Sequence, residues 1–542
     1  MDGKQMRGAD WLVAGLKEAG VTTIFSLSGN QIMPVYDATM DHDMRIIHTR
    51  HEGAAVYMAE AAAQMTGDVG IALLTAGPGF ANGLSAMYTV KESETPVVIL
   101  SGDSPRSRDS HGAFQELDQC ATAAPMVKAS FRARAGNELK TDILKAIALA
   151  KHGRPGPVHL ALPDDVLRQT GEQSAESCVA DPEALNSLSN DQLSQIESAI
   201  ASSEKPMILL GPDFCRPHAK ASVDAISSQL NIPCVAFESP RGLRAPRLGA
   251  FAEVLGESDL IISIGKPLNF MVGFGDDAVL KSNCHIIQID SETAVLEKDQ
   301  SRLGARISLQ VTASATEVLE QLKASIPKHS TNGWVEEVQS AVSYRPAGWD
   351  EAPDNGDKIG PMEFAKAVAP WISKSPEASF IVDGGEIGQW CQAILDSEYA
   401  MINGPSGAIG GSIPYAIGSK AVRPDQPAIT IMGDGTAGFY LAEFETAVRE
   451  NTPLVAIVGN DAKWNAEHQI QIREFGADRT HSCELTPARY DRVAAELGGH
   501  GELVTSLDQL APALERAFAA NKPACVNVMI EGQAAPDIKR EV

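Results

Sequence analysis

Short apolar runs that stop on glycine or an acid recur along the chain, each followed by residues of helical period. Between residues 9 and 165 they read TTIFSLSG, MRIIHTRH, VGIALLTAG, PVVILSGD and PVHLALP. Runs this short, joined by crossovers too long for hairpins, predict parallel strands covered on both faces by helices. The pattern returns as PMILLG, PCVAF, DLIISIG and HIIQID, and again as SFIVDGG, AITIMGDG, LVAIVGND and ACVNVMI. Two polar stretches rich in turn formers separate the series, at 168–191 and 345–358. The 542 residues thus read as an α/β protein of three doubly wound parallel-sheet domains, expected at 1–170, 190–328 and 358–535.

The first and third series also resemble each other. VGIALLTAGPGFANGLSAMYTVKESETPVVILSGD and PAITIMGDGTAGFYLAEFETAVRENTPLVAIVGND share strand, glycine loop, helix, Thr-Pro, strand and acid, which suggests a duplicated domain. In the second of these segments, Asp434 and Asp461 each close an apolar run beside glycine, 27 positions apart. That separation fits one loop, helix and strand, so both carboxylates are expected at the carboxyl edge of a sheet on nearby strands. Two such oxygens suit a hard divalent cation, and magnesium commonly completes its shell with phosphate oxygens. The helix expected to open at Thr436 offers unsatisfied N–H groups of Gly435, Thr436 and Ala437 to an anion. Taken singly, either aspartate reads better as a helix cap or a turn residue; the pair, each after a strand, favours a metal-diphosphate site.

Composition narrows the partners. A formal charge of −25, with no basic run to reverse it locally, argues against nucleic acid and anionic membranes and leaves small molecules. The eight cysteines are scattered singly, as expected for buried thiols in a reducing cytoplasm. The amphipathic, charged start lacks an apolar signal core, and no stretch approaches the length of a membrane span. TAGPGFANG at 75–83 looks like a dinucleotide fingerprint but has the weaker Gly-x-Gly-x-x-x-Gly spacing and leaves the acid pair unexplained. No zinc spacing and no Gly-x-Ser-x-Gly elbow appears.

Gly433-Asp434-Gly435, then 24 residues, then Asn460-Asp461 closely resembles the motif of thiamin diphosphate enzymes, which ends on Asn-Asn. The resemblance implies thiamin diphosphate and Mg²⁺, with the Asp434 and Asp461 carboxylates and the Lys463 carbonyl as metal ligands. Here Asp461 replaces the second asparagine, keeping a ligating oxygen but adding charge beside the diphosphate. Arg50-His51-Glu52, after MRIIHT, matches the run that carries the activating glutamate. Glu52 would then meet the ring nitrogen of the aminopyrimidine, its neutral form favoured by an apolar pocket. On its own a first-turn glutamate reads as a surface residue favoured by the helix dipole. NGPSGAIGGSIPYAIG at 403–418 aligns with the segment that bends the cofactor, offering Ile409 as wedge and the Gly407 carbonyl as acceptor. Thr75 and Asn82 match residues on the pyrimidine side, and Gly385, Gly435, Thr436 and Trp464 are counted among the cofactor contacts. The resemblance further implies a homodimer or homotetramer with sites between subunits.

Domain order and AFQELDQ at 113–119 resemble the acetolactate synthase group, which would put Gln115 over the thiazolium. ELDQCATAAPMVKASFR and IGKPLNFMVGFG look more like oxalyl-CoA decarboxylase and 2-hydroxyacyl-CoA lyase, and GRPGPV is similar to benzaldehyde lyase. Gln31 stands where benzaldehyde lyase has a histidine; an amide orients a substrate but shuttles protons poorly, which speaks against that activity. Only QAAPDIKREV follows the last strand and its glycine, which weakens the thioester reading. The middle domain lacks the Gly-Met-His-Gly type segment associated with flavin, so FAD is doubtful. The expected chemistry is decarboxylation of a 2-oxo acid and transfer of the enamine to an aldehyde or ketone, with Glu52, Gln115 and Gln31 as catalytic candidates. A regulator that keeps the fold without catalysis is the alternative of another class, and Glu52 argues against it.

Overall fold

The computed structural model describes residues 6–330, 333–350 and 358–540; part of the connection expected at 345–358 lies outside them. The first domain holds β1 (Thr23–Ser26), β2 (Arg45–His48), β3 (Gly70–Leu74), β4 (Val97–Asp103), β5 (Ala129–Arg132) and β6 (Val158–Pro163). They form one parallel sheet in the order β2-β1-β3-β4-β6-β5. The middle domain has β7 (Pro206–Leu210), β8 (Cys234–Ala236), β9 (Leu260–Ile264), β10 (His285–Asp290) and β11 (Ile307–Thr312), ordered β11-β10-β9-β7-β8. The third domain has β12 (Ser379–Val382), β13 (Ala400–Ile402), β14 (Ala428–Gly433), β15 (Val455–Asn460), β16 (His500–Val504) and β17 (Ala524–Met529). Its order, β13-β12-β14-β15-β17-β16, repeats that of the first sheet strand for strand, in keeping with the internal likeness of the two sequences.

The central strands are buried from end to end: β3, β4, β6, β7 and β9 expose almost nothing, which is why their sequences run apolar instead of alternating. Four strands, β5, β11, β13 and β16, have no counterpart in the apolar runs above. Each lies at the edge of its sheet and is partly exposed; polar residues interrupt the pattern of β5, β11 and β16, and β13 is only three residues long.

First and third domains share one core. The helix Glu52–Thr66 is rich in alanine, buries all but one of its residues, and packs closely on the helix Ser412–Val422. The Glu60 carboxylate crosses this contact to accept from Tyr415 Oη at 2.8 Å. The Asp434–Asp461 segment differs from expectation in one respect. Its single helix is two, Asp434–Ala437 and Glu443–Arg449, and the first opens at Asp434, not Thr436. Gly435 and Gly438 are poor helix formers, and extended Gly433 sets the turn two residues earlier.

Candidate active site

β14 and β15 are direct neighbours in register Gly433↔Gly459, so Asp434 and Asp461 emerge side by side at the carboxyl edge. Here open parallel sheets bind their ligands. The loop after β15 is tightly built. Asn460 is wholly buried; its Oδ1 accepts from Ala462 N–H at 3.1 Å while Nδ2 donates to Asn527 Oδ1 and the Ala488 carbonyl. Ala462 is held at φ +55°, a left-handed conformation that a residue with a Cβ adopts only when its surroundings impose it. Trp464 then folds back over the Asp434 turn, and a Cβ on Gly435 would stand 2.7 Å from its ring.

Asp434 is 2% exposed, and among the described residues its Oδ2 has no hydrogen-bond partner. Burial raises the pKa of both acids, and the charge of Asp434 adds to the rise at Asp461. A buried and a half-buried carboxylate pressed together call for a cation, and their hard oxygens suit Mg²⁺. Among the described residues no group of three metal-binding side chains exists, so backbone and ligand oxygens would have to complete the shell.

Around this pair lies a cleft of about 280 Å³. Its walls include Gly385, Gly407, Ile409, Asp434, Gly435, Thr436, Asp461, Lys463 and Trp464, all from the third domain, with Pro240 and Arg241 from the middle domain. Every third-domain candidate of the sequence reading is therefore in one place. Glu467, the acid one turn beyond, also lines it. A larger cavity of about 550 Å³ beside β8 is floored by Val223, Val235, Phe237, Val335 and Val338, and of its two acids, Asp224 and Glu238, the second is already paired with Arg216.

The first-domain candidates form a second cluster at the carboxyl ends of β1, β3 and β4. Glu52 is the first residue of its helix, 7% exposed, and its Oε2 accepts from Asn82 Nδ2 at 3.0 Å. Its surroundings are thus more polar than the apolar pocket expected. Thr75 Oγ1 donates to Gln31 Oε1 at 3.1 Å, and Gln31 Nε2 donates to Gln115 Oε1 at 2.7 Å. None of these five residues lines the cleft at Asp434. Within one chain the two clusters of candidates are therefore separate.

Three features escaped the sequence reading. Asp383, wholly buried just past β12, accepts from Gly384, Gly410 and Ser412 N–H, the last two at 3.0 and 3.1 Å, and so fixes the turn that carries Ile409. Its signal was available, since it is a third acid closing an apolar run before glycine. Arg241 pairs with the buried Glu386 at 3.0 Å, and the segment 531–540 crosses the same mouth. In that segment Ala535 N–H donates to Glu386, the Ala534 carbonyl accepts from Trp390 Nε1, and the Gln533 carbonyl accepts from Asn465 Nδ2. Contacts across so many positions leave no local trace in a sequence. Through the last of them the Asn465 amide fastens the tail to the start of the helix Asn465–Phe475.

Comparison with known proteins agrees with this geometry. Residues 6–122, 193–322 and 383–528 match the N-terminal TPP binding domain, the central domain and the C-terminal TPP binding domain of thiamine pyrophosphate enzymes. A probable acetolactate synthase of Mycobacterium bovis is 30% identical over 531 residues, covering 96% of this chain and 95% of its own. The 2-hydroxyacyl-CoA lyase 2 of Danio rerio is 26% identical, covering 96% and 91%, and the acetolactate synthase of Bacillus subtilis 26%, covering 97% and 93%. With matched domains in this order and relatives along its whole length, the chain belongs to the thiamin diphosphate-dependent enzymes, in their acetolactate synthase-like group.

Proposed function

We propose that the protein is a Mg²⁺- and thiamin diphosphate-dependent carboligase that decarboxylates a 2-oxo acid and passes the remaining acyl fragment to an aldehyde or ketone. The observation that carries this reading is the pairing of buried Asp434, which has an unpartnered oxygen, with half-buried Asp461 in a cleft of the third domain. Asp434, Asp461 and the Lys463 carbonyl would hold the metal, and N–H groups of the Asp434 turn would meet the diphosphate. Gly385, Ile409 and Gly407 line the same cleft, where Ile409 would support the cofactor and the Gly407 carbonyl would serve as acceptor for its amino group. Glu52 Oε1 exchanges the proton of the pyrimidine ring nitrogen, while Asn82 steadies Oε2 and Thr75 lines the same side. When bound, the cofactor supplies the electron sink of acyl-anion chemistry.

Because Glu52 and its neighbours do not line the cleft of their own chain, the reading includes a homodimer or homotetramer whose sites form between subunits. Likeness to 2-hydroxyacyl-CoA lyase 2 supports a second reading, cleavage of a 2-hydroxyacyl thioester. Purified protein with Mg²⁺ and thiamin diphosphate, given pyruvate, benzoin or a 2-hydroxyacyl-CoA in parallel, separates the two by mass spectrometry. A carboligation product from pyruvate supports the first; turnover confined to thioesters replaces it with the second.

A further inference from the structure

Gln31 and Gln115 are held more firmly than an open pocket wall requires. Gln31 is 4% exposed and sits against Gly102, where a Cβ would come within 2.9 Å of its own Cβ. Gln115 sits against Gly77 in the same way, again at 2.9 Å, and adopts φ +58°. A glutamine in that region is strained, and strain of this kind persists only where the surroundings impose it. Buried Gln119 supplies part of the mount, its Oε1 accepting from Gly77 N–H at 3.2 Å and its Nε2 donating to the Gly102 carbonyl at 2.9 Å. One side chain thus grips both glycines that make room for the two amides.

The hydrogen bonds then fix direction. Thr75 Oγ1 donates to Gln31 Oε1, so Gln31 presents Nε2 to Gln115, whose Oε1 accepts at 2.7 Å. The Gln115 NH₂ is left over, on a half-buried side chain, and no hydrogen bond to an acceptor among the described residues takes it. An amide donor meets carboxylate or carbonyl oxygen and moves no proton near neutral pH. Gln31 gives one N–H and one lone pair to the relay.

We infer that Gln31 is a positioning residue that locks the Gln115 amide N–H outward, so that this wall selects substrates by an oxygen acceptor, the carboxylate or carbonyl of a 2-oxo acid. The assignment rests on the function proposed above for its substrate class. It also bears on the choice of donor. Losing carbon dioxide from a 2-oxo acid breaks the C1–C2 bond, leaves the pair on C2 and asks this wall for no base. Cleaving a 2-hydroxyacyl substrate must remove a hydroxyl proton, which neither glutamine accepts.

The test compares the wild type with Gln31→Ala, Gln31→Glu, Gln115→Ala and the double alanine variant. Kinetics are measured on whichever substrate the wild type turns over, and the affinity for Mg²⁺ and thiamin diphosphate by calorimetry. Gln31→Ala is expected to lower kcat/KM by about tenfold or more, the scale of one hydrogen bond to a charged acceptor, mostly through KM. Cofactor affinity should stay within about twofold of the wild type, because neither amide lies in the diphosphate cleft. The double variant should be no worse than Gln115→Ala alone. Gln31→Glu, similar in shape but only an acceptor when ionised, should turn the Gln115 N–H inward and lose as much. Unchanged kcat/KM in Gln31→Ala, effects that multiply in the double variant, or an equal loss of cofactor affinity would overturn the assignment. A wild type active only on thioesters would instead reject the proposed donor, and the same variant ratios would still judge the relay.

Discussion

Replacing Glu52 by glutamine keeps an oxygen for Asn82 Nδ2 but removes the group that exchanges a proton with the pyrimidine ring. The expected outcome is cofactor affinity within a few-fold of the wild type and kcat lowered by about a hundredfold or more, the usual worth of a placed general acid-base. Stopped-flow turnover beside calorimetric binding checks both halves. Asp461→Asn tests the other charge. With one carboxylate fewer beside the diphosphate, thiamin diphosphate should bind at lower Mg²⁺ concentration than in the wild type, as a titration at several metal levels would reveal. Both residues were legible in the sequence because each sits in a dense local motif. Asp383 left the same kind of signal, an acid closing an apolar run before glycine, whereas the grip of Asn460 on Ala462 N–H, Asn527 and the Ala488 carbonyl is advertised by no side-chain pattern. Arg241 and Glu386 are brought together only by the packing of the middle domain on the third.

Asp383 ties two elements, the end of β12 and the turn before the helix Ser412–Val422. An amide there keeps one acceptor but turns a donor toward other donors, so Asp383→Asn should destabilise the third domain by about 2 kcal/mol and weaken cofactor binding. Thermal unfolding and calorimetry measure the two effects. The N-terminal end of the helix Glu443–Arg449 makes a pH prediction. Burial pushes Glu443 up from its ordinary 4.5 to about 7, partly offset by bonds from Thr446 and from the N–H groups of Arg50 and His51. Between those values the folded chain holds a proton that the unfolded chain has released, so this group makes stability fall as pH rises from 4.5 to 7. Glu443→Gln should flatten that fall by up to about 3 kcal/mol, read from unfolding midpoints at pH 5 and pH 8. At this scale the sequence revealed buried strands well and edge strands poorly. β16, spelled His500-Gly501-Glu502-Leu503-Val504, has too little apolar surface facing inward to announce itself.

The whole molecule repeats one sheet twice around a differently ordered middle domain, and the proposed function distributes one site over the two copies. That division was legible as a family resemblance, whereas the tail 531–540 across the cleft was not, because its partners lie in three separate segments of the chain. If sites form between subunits, mixing Glu52→Gln and Asp434→Ala proteins and letting them exchange should restore about a quarter of wild-type activity. In random mixing half of the dimers are hybrids, and each hybrid holds one intact site; a mixture as inactive as its components would place both halves within one chain. The most direct measurement is calorimetric titration of thiamin diphosphate into the wild type and Asp434→Ala at saturating Mg²⁺. The expected result is one cofactor taken up per wild-type chain and no measurable heat with the variant. A wild type that takes up none, or a variant that binds undiminished, would contradict the assignment of the Asp434 cleft.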